Sequence, residues 1–378
     1  MNVGVIYYRY PLYPQGSYFQ EFLNKLSESL GNIYLIAAHH PKGHFKKSEN
    51  IKTFWVPLFH IRFVEEAFFM IAVFIKVVFT RQLRQLDLVN SIGPRGLLAG
   101  WYLKKRYRIP LICTIEMLNE RGSSIDNIHY AIVRLLLTRI PIDKFICWSS
   151  YYWDSHLKQW GIAEGKVVII PSGIDISAYH PSIDGSEIKK KYAPSNPLIV
   201  FAKPLYSVNT QAAKLLVQSI ALLKSKVKII LLVGGGEGQK EIQDLAYDLE
   251  IPHQVSFMPP TPFPEIPAYI AAADLIVLPF TYAPTTARSL LEAMAMGKPI
   301  ITTSVGEAGN ILEDKLNTLF VKLDSESMAK AINKLLNNRE LSGRIGANAR
   351  ALVEEKFSLS TVTNQTIKCY RTLRTSTT

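Results

Sequence analysis

The chain alternates short apolar or β-branched runs with segments of helical character, and this alternation is the feature that most limits its fold. In the first half the runs are NVGVIYY, NIYLIAA, DLVNSIG, PLICTIE and DKFICWSS. In the second half they are PLIVFA, VKIILLV, QVSF, ADLIVLPF and PIITTS. Strands that alternate with helices in this way are typical of parallel sheets covered by helices on both faces. The sequence therefore predicts an α/β protein.

The length of 378 residues corresponds to about two domains. Residues 169 to 197 are rich in Pro, Gly, Ser and charge and interrupt the apolar periodicity, so the boundary is expected there. We expect one Rossmann-like domain over residues 1–175, a second over 176–356, and a last helix over 357–378. Ligands of open α/β sheets bind beyond the carboxyl ends of the strands. Two such sheets are therefore expected to face each other across a cleft that holds the site.

The net charge is +12, and most of the excess lies in the first half. Residues 1 to 178 hold 21 Lys and Arg against 13 Asp and Glu, a net charge of +8. A basic surplus favours nucleic acid, anionic lipid or a phosphorylated substrate as partner. We expect no nucleic-acid partner, because no recognised nucleic-acid module occurs in the sequence.

The three cysteines predict neither a zinc site nor a disulfide framework. Cys113, Cys147 and Cys369 have no metal-ligand or redox spacing, and the first two lie in apolar runs that predict buried thiols. This usage favours a reducing compartment. The N-terminal MNVGVIYYRYP predicts a strand and not a signal peptide. We therefore expect a cytoplasmic protein.

One helical segment, FVEEAFFMIAVFIKVVFTRQLR at residues 63 to 84, is apolar on nearly all sides. Its longest unbroken apolar run has nine residues, against the roughly 20 that cross a bilayer. A helix that is apolar all round is usually buried. Basic flanks such as these are also typical of helices that dock on anionic membranes. Both interpretations stay open from the sequence.

Three loops at predicted strand ends carry residues able to contact a phosphate-bearing ligand. Gly16 lies where a helix begins, and it either lets a ligand approach the backbone or is an ordinary loop glycine. Gly234 opens a cluster of three glycines after VKIILLV, the general form of a phosphate loop without its GxGxxG or GxxxxGK[ST] spacing. Lys203 follows PLIVFA, where it is either a point charge for a diphosphate or a solvated surface lysine.

The stretch TTARSLLEAMAMGKPI, residues 285 to 300, predicts a helix, a tight turn and a buried strand. Ala, Leu, Met and Glu are strong helix formers. Gly297 supplies a left-handed helix end, and Pro299 cannot continue the helix.

The start of this helix is a candidate phosphate site. Thr285, Thr286 and Ser289 can cap it, and a helix N-terminus suits a phosphate through its N–H groups and its dipole. Glu292 has two interpretations. It forms an ion pair with Arg288, four residues earlier, or it contacts a ligand.

The order of motifs in the second half resembles a known family. The segments are VVIIPSGIDISAYHP, IILLVGGGEGQKEI, VSFMPP, AYIAAADLIVLPFTY, SLLEAMAMGKPIITTSVGE and ARALVEEKFS. They resemble the series "viPnGvD…F.P", "VGdGp", "V.f.G", "y..aDv.vlPS", "LEAmA.GkPvi.t..GG" and "Ar..v...Fsw" of the nucleotide-sugar-dependent glycosyltransferases of the GT-B fold, retaining family 4, also called group 1. The match covers nearly the whole chain and is looser in the first half.

The resemblance implies roles for individual residues. Glu292 matches the carboxylate that binds the ribose hydroxyls of the donor. Lys203 matches a basic residue, and Gly16 a loop glycine, that contact the donor diphosphate. The helix start would hold the diphosphate by its backbone. The full donor-binding set that the resemblance implies is Gly16, Lys203, Asn209, Gly234, Met258, Thr286, Ala287, Arg288 and Glu292.

This chain departs from the family pattern at four positions. Pro284 stands where the first glutamate of the paired motif contacts the donor sugar, and Asn209 stands in place of a lysine. Glu116 replaces the histidine of "T.HG", which makes it the candidate catalytic residue. Asn310 replaces the glutamate of "GG..E". The diphosphate and sugar contacts of the family are thus reduced.

The resemblance implies a glycosyltransferase that moves a sugar from a nucleoside diphosphate sugar to an acceptor with retention of configuration. No metal or other cofactor is expected. A basic first half with a candidate docking helix favours a lipid-linked saccharide or a cell-envelope polysaccharide precursor as acceptor, with peripheral contact to an anionic membrane. Two alternatives stay open. One is a non-catalytic binding or partner subunit on the same fold, and the other is a sugar-nucleotide epimerase of the GT-B fold. The segment FSLSTVTNQTIKCYRTLR looks like the family's last helix, which crosses back onto the first domain.

Overall fold

The computed structural model describes residues 1–8, 18–38, 48–57, 65–118, 124–223, 227–232, 236–258, 261–282 and 285–375. The chain divides into two compact units. The first consists of Met1–Ser172 with Leu359–Thr378, and the second of Gly173–Ser358.

The first unit is built on a seven-stranded parallel sheet. Its strands are β1 (Val3–Tyr7), β2 (Ile33–Ala38), β3 (Ile51–Val56), β4 (Leu88–Ile92), β5 (Leu111–Ile115), β6 (Lys144–Cys147) and β7 (Val167–Ile169), and its helices are α1 (Tyr18–Ser29), α2 (Glu65–Phe79), α3 (Leu97–Tyr107), α4 (Ser124–Arg139) and α5 (Ser150–Tyr152). The strand order is β3-β2-β1-β4-β5-β6-β7. Helices α2, α3 and α4 pack on one face of this sheet, and α1 packs on the other.

The second unit repeats this architecture with six parallel strands. The strands are β8 (Leu198–Phe201), β9 (Lys228–Leu232), β10 (Val255–Met258), β11 (Leu275–Leu278), β12 (Ile300–Thr302) and β13 (Leu319–Phe320), and the helices are α6 (Ser186–Tyr192), α7 (Ser207–Ala221), α8 (Gln239–Asp248), α9 (Ile266–Ala272), α10 (Arg288–Ala295), α11 (Glu307–Ile311), α12 (Ser325–Asn337) and α13 (Arg339–Leu352). The strand order is β10-β9-β8-β11-β12-β13. The predicted α/β class with two parallel-sheet, Rossmann-like units is confirmed.

The last helix, α14 (Leu359–Thr375), packs with the first unit. Val362, Ile367 and Tyr370 lie in the same core cluster as the apolar face of α1. The Asn90 side chain on β4 donates a hydrogen bond of 2.7 Å to the Tyr370 hydroxyl. The chain thus enters the second unit once and returns to the first.

Helix α2 is neither wholly buried nor wholly exposed. Phe69, Val73 and Val77 lie in the core of the first unit. The opposite side exposes apolar side chains, from 37% of Val78 to 79% of Phe79. Within the described ranges, no helix has the length and apolar character needed to cross a membrane. The thiols of Cys113 and Cys147 are buried, as predicted.

Candidate functional site

The candidate site lies where the strand order of the second sheet reverses. From β8 the chain moves outward through β9 and β10, and it then returns to place β11 on the other side of β8. Loops that leave the carboxyl ends of β8 and β11 therefore separate and form a crevice, where ligands of open α/β sheets bind. Lys203 and Asn209 follow β8, and Phe280 and helix α10 follow β11.

Helix α10 begins at Arg288 without a side-chain cap. Ala287 is the N-cap residue and has extended backbone angles, φ −66° and ψ 132°. The Thr286 and Ser289 hydroxyls are buried, and neither has a hydrogen-bond partner among the residues described. The expectation that Thr285, Thr286 or Ser289 caps this helix is therefore wrong. A helix N-terminus without a side-chain cap, beside two buried hydroxyls, is instead suited to an anion.

Glu292 lies one turn into α10 and is only 4% exposed. Its Oε1 atom accepts hydrogen bonds from Arg288 Nε at 2.9 Å and from the Tyr179 hydroxyl at 2.9 Å. The expected ion pair with Arg288 is thus present. A buried carboxylate held in this way is a fixed hydrogen-bond acceptor.

Lys203 is half-buried, and the charge of the same carboxylate acts on it. Its Nζ atom is 4.6 Å from the centroid of the Phe280 ring. Burial lowers the pKa of Lys203 from its ordinary 10.5 to about 8, while the charge of Glu292 acts in the opposite direction. The alternative of a solvated surface lysine is therefore wrong. A partly desolvated ammonium interacts more strongly with a phosphate than one in bulk water.

Two other predicted donor-binding residues, Asn209 and Met258, also belong to the second unit. Asn209 lines a small cavity together with Lys203 and Phe280, and its Nδ2 atom donates to the Pro204 carbonyl at 2.9 Å. Met258 ends β10, is buried, and accepts a 3.2 Å hydrogen bond from the Tyr192 hydroxyl at its sulfur.

Gly236 belongs to the predicted glycine cluster. It has φ +142°, and a Cβ atom there would lie 2.4 Å from the Leu205 carbonyl oxygen. Only glycine fits so close a backbone approach. Gly236 therefore packs directly against Leu205 in the loop after β8.

The remaining predicted site residues lie outside the described residues or elsewhere in the chain. Gly16, Gly234 and Pro284 lie outside the described residues. Glu116 follows β5 in the first unit, whereas α10 belongs to the second unit. Asn310 is in the second unit, and its Nδ2 atom donates to the buried Glu307 at 3.3 Å.

Sequence reasoning missed two residues of the site. Tyr179 lies in the predicted boundary segment, and its hydroxyl contacts Glu292. Phe280 lies at the end of a predicted strand, and its ring contacts Lys203. A tyrosine where the family motif has the phenylalanine of "F.P" was the available signal for the first, and no local signal identified the second.

Two family models match successive parts of the chain. "Glycosyltransferase Family 4" matches residues 15–178, and "Glycosyl transferases group 1" matches residues 186–352. A D-inositol 3-phosphate glycosyltransferase of Nocardia farcinica is 25% identical over 297 residues, 72% of this chain and 65% of that protein. A putative glycosyltransferase of Bacillus subtilis, YtcC, is 27% identical over 60% of each chain. The chain spans less than two thirds of the length of these curated relatives.

Solved structures share the fold over nearly the whole chain. A sucrose-phosphate synthase of Thermosynechococcus elongatus superimposes with a TM-score of 0.81 at 19% identity and covers 99% of each chain. Anabaena HepE in complex with UDP-glucose gives a TM-score of 0.75 at 19% identity, over 98% of this chain and all of that one. Together with the two family models, these similarities show that the chain belongs to the group 1, family 4 glycosyltransferases of the GT-B fold.

Proposed function

We propose that the protein is a glycosyltransferase that moves a sugar from a nucleoside diphosphate sugar to an acceptor. The observation that carries this proposal is the set of groups at the start of α10. The helix has no side-chain cap, and the unpartnered hydroxyls of Thr286 and Ser289 lie at its N-terminus. The same helix bears Glu292, whose charge acts on Lys203. HepE, a neighbour in fold, was crystallised with UDP-glucose.

Each group suits one part of such a donor. The helix N-terminus and the two hydroxyls donate hydrogen bonds to a diphosphate, and Lys203 contributes positive charge. Glu292 accepts hydrogen bonds from ribose hydroxyls. When the bond between sugar and diphosphate breaks, negative charge grows on the leaving diphosphate, and donors already oriented towards it stabilise that charge. We propose that the reaction needs no metal and retains the anomeric configuration.

A thermal-shift panel tests this proposal. UDP, GDP, ADP and their sugars are added to the wild type, to Glu292→Ala and to Glu241→Ala. Glu241 is the control, because its exposed carboxylate forms an ion pair with Lys214 in the same unit. A ligand at a hundredfold excess over its Kd stabilises the native state by about 2.7 kcal/mol. We expect one nucleotide to raise the Tm of the wild type and of Glu241→Ala but not that of Glu292→Ala. No shift with any nucleotide would contradict the proposal.

A second candidate is a binding or partner subunit that has lost turnover. It is favoured by Asn209, which stands in place of a lysine and whose side-chain amide is engaged by the Pro204 carbonyl. Release of the nucleoside diphosphate from its sugar separates the two candidates. A protein that binds the donor but releases no nucleotide with any saccharide acceptor fits the second.

We further propose that the acceptor is a lipid-linked saccharide or a cell-envelope polysaccharide precursor, met at the cytoplasmic face of an anionic membrane. The exposed apolar side of α2 supports membrane contact. Ile71, Phe74, Ile75, Val78 and Phe79 are exposed there, and Lys76, Arg81 and Arg84 are exposed beside them. Apolar side chains flanked by cations suit an anionic lipid surface.

A further inference from the structure

The two oxygen atoms of Glu292 have different surroundings. Oε1 accepts both hydrogen bonds that the carboxylate receives, from Arg288 Nε and from the Tyr179 hydroxyl, each at 2.9 Å. No donor in the described part of the chain reaches Oε2. An oxygen of a carboxylate has about two acceptor positions. Oε1 is therefore saturated, and Oε2 keeps its acceptor capacity.

Tyr179 is held in place at its backbone as well as at its hydroxyl. Arg350 Nη1 donates to the Tyr179 carbonyl at 2.8 Å and also to the carbonyl of Ala295, the last residue of α10. The turn before Tyr179 is closed by Asp175, whose Oδ1 accepts from the Ser177 N–H at 2.8 Å. The Tyr179 side chain is 4% exposed. Its position relative to α10 is therefore fixed at both ends of the residue.

The segment that contains Tyr179 resembles the motif "F.P", in which the phenylalanine has no such hydroxyl. A phenylalanine would fill the same apolar space and leave Oε1 with one donor. Burial, followed by the charge of Glu292, raises the pKa of Tyr179, so the phenol keeps its proton and donates across the working pH range.

We propose that Tyr179 is a positioning residue for Glu292. Together with Arg288 it occupies the acceptor positions of Oε1, so that Oε2 accepts from the ribose hydroxyls of the donor. This inference rests on the proposed function. Its chemical consequence is that recognition of the ribose depends on a hydroxyl that the ribose does not touch. The diphosphate contacts, made at the start of α10 and by Lys203, do not depend on it.

Titration calorimetry on Tyr179→Phe tests the inference. The ligands are the nucleoside diphosphate that binds the wild type most tightly and its 2′,3′-dideoxy analogue. Tyr269→Phe is the control, because Tyr269 packs on the same core. We expect Tyr179→Phe to lower the affinity for the ribose ligand about tenfold, which corresponds to one hydrogen bond to a charged group. The affinity for the dideoxy ligand should change by less than about twofold. Tyr269→Phe should change neither.

The possible results separate this inference from the proposed function. Equal losses for both ligands in Tyr179→Phe would mean that Tyr179 acts only on the stability of the site, and would overturn the inference alone. An unchanged affinity for the ribose ligand would overturn it as well. Failure of every nucleoside diphosphate to bind the wild type would overturn the proposed function, and the inference with it.

Discussion

At the scale of single residues, the hydroxyls of Thr286 and Ser289 are costly to the free protein. Each is buried without a partner in the described structure. An unsatisfied buried polar group costs about 1–3 kcal/mol, whereas an apolar group of the same shape costs little. We therefore predict that Thr286→Val leaves the free energy of unfolding unchanged or raises it by up to about 1 kcal/mol. We expect the same change to weaken diphosphate binding about tenfold.

Thr302→Val is the matched control for this prediction. The Thr302 hydroxyl is equally buried but donates a 2.6 Å hydrogen bond to the Leu278 carbonyl. Its removal should lower stability by about 1 kcal/mol. Thermal denaturation with and without the nucleotide gives both quantities. Destabilisation of Thr286→Val comparable with that of Thr302→Val would contradict the prediction.

The pKa of Lys203, about 8, predicts that donor binding depends on pH. Below this value the side chain is charged and attracts a diphosphate, and above it the charge is lost. A nucleoside diphosphate is already fully ionised at about pH 7.5. We therefore expect affinity to fall as the pH rises from about 7.5 to about 9.5. The Lys203→Arg variant stays charged throughout, since the pKa of arginine exceeds 12.

The same pKa sets the sign of a stability effect in the free protein. Burial lowers the pKa of Lys203 below the value of the unfolded chain, so the unfolded chain binds the proton more readily between about pH 8 and about pH 10.5. Stability from this group therefore rises with pH across that interval, while ligand affinity falls. Calorimetric titrations with the nucleoside diphosphate between about pH 7.5 and about pH 9.5 test the pH dependence of binding. An equal loss of affinity in the wild type and in Lys203→Arg would show that the charge of Lys203 is not its cause.

Residue chemistry alone predicted part of this site. The ion pair of Glu292 with Arg288 and the helix start after β11 followed from helix periodicity and composition. The wrong capping assignment has a physical reason. Capping requires the hydroxyl to turn back to the N–H groups of its own helix, and that orientation depends on packing that a sequence window does not contain.

At the scale of elements, the turn that ends α10 depends on one glycine. Gly297 has φ +62°, and a Cβ atom there would make only ordinary contacts, the nearest 3.5 Å from Pro181. The cost of a side chain is therefore that of the left-handed conformation alone, about 1 kcal/mol. We predict a loss of this size in Gly297→Ala and a smaller one in Gly297→Asn, measured by thermal denaturation.

Gly346 on α13 provides the contrast. A Cβ atom there would lie 2.1 Å from the Gly297 carbonyl oxygen, so the helix must move before alanine fits. We expect Gly346→Ala to lose clearly more stability than Gly297→Ala. Equal losses of stability in the two variants would contradict this prediction, because they would mean that α13 moves away from the turn at little cost.

Helix α2 is the element whose exposed side predicts membrane contact. Replacement of Ile75 and Phe79 by serine removes apolar groups that the core does not use, so the fold should persist. We expect the wild type to sediment with vesicles that contain phosphatidylserine and to be released from them by high salt. It should not bind vesicles of phosphatidylcholine alone. The double variant should bind the anionic vesicles at least about tenfold more weakly.

Tyr247→Ser is the control for the vesicle experiment. Tyr247 is 70% exposed on α8 of the second unit, and its loss should not alter vesicle binding. Equal recovery of the wild type in the supernatant at low and high salt would count against membrane docking. The sequence left burial and docking of this segment open because both depend on which neighbours cover each side of the helix.

Strand alternation predicted most of the sheet elements but not their order. The sequence pattern did not predict β3, β7 and β13. All three lie at the sheet edges, and β7 and β13 have only three and two residues. Short edge strands carry little apolar pattern because one side faces no other strand. The position of β8 beside β11, which creates the crevice, is a long-range pairing that no local pattern specifies.

At the scale of the whole molecule, the return of α14 ties the end of the chain to its beginning. Phe357 still belongs to the core of the second unit, whereas Val362 and Tyr370 lie in the core of the first. Burial of large apolar side chains contributes about 1.5–3 kcal/mol each. The contribution of α14 is therefore comparable with the total stability of a domain, about 5–15 kcal/mol.

We therefore predict that deletion of all residues after Ser358 destabilises the first unit and spares the second. Hydrogen exchange followed on peptides gives separate readouts, because α1 and β4 report on the first unit and α10 on the second. Exchange in α1 and β4 should rise by orders of magnitude, with α10 unchanged. Tyr370→Phe, which removes only the hydroxyl that accepts from Asn90, should produce a loss of about 1 kcal/mol. If the amides of α1 exchanged as slowly after the deletion as in the wild type, the first unit would fold without the end of the chain.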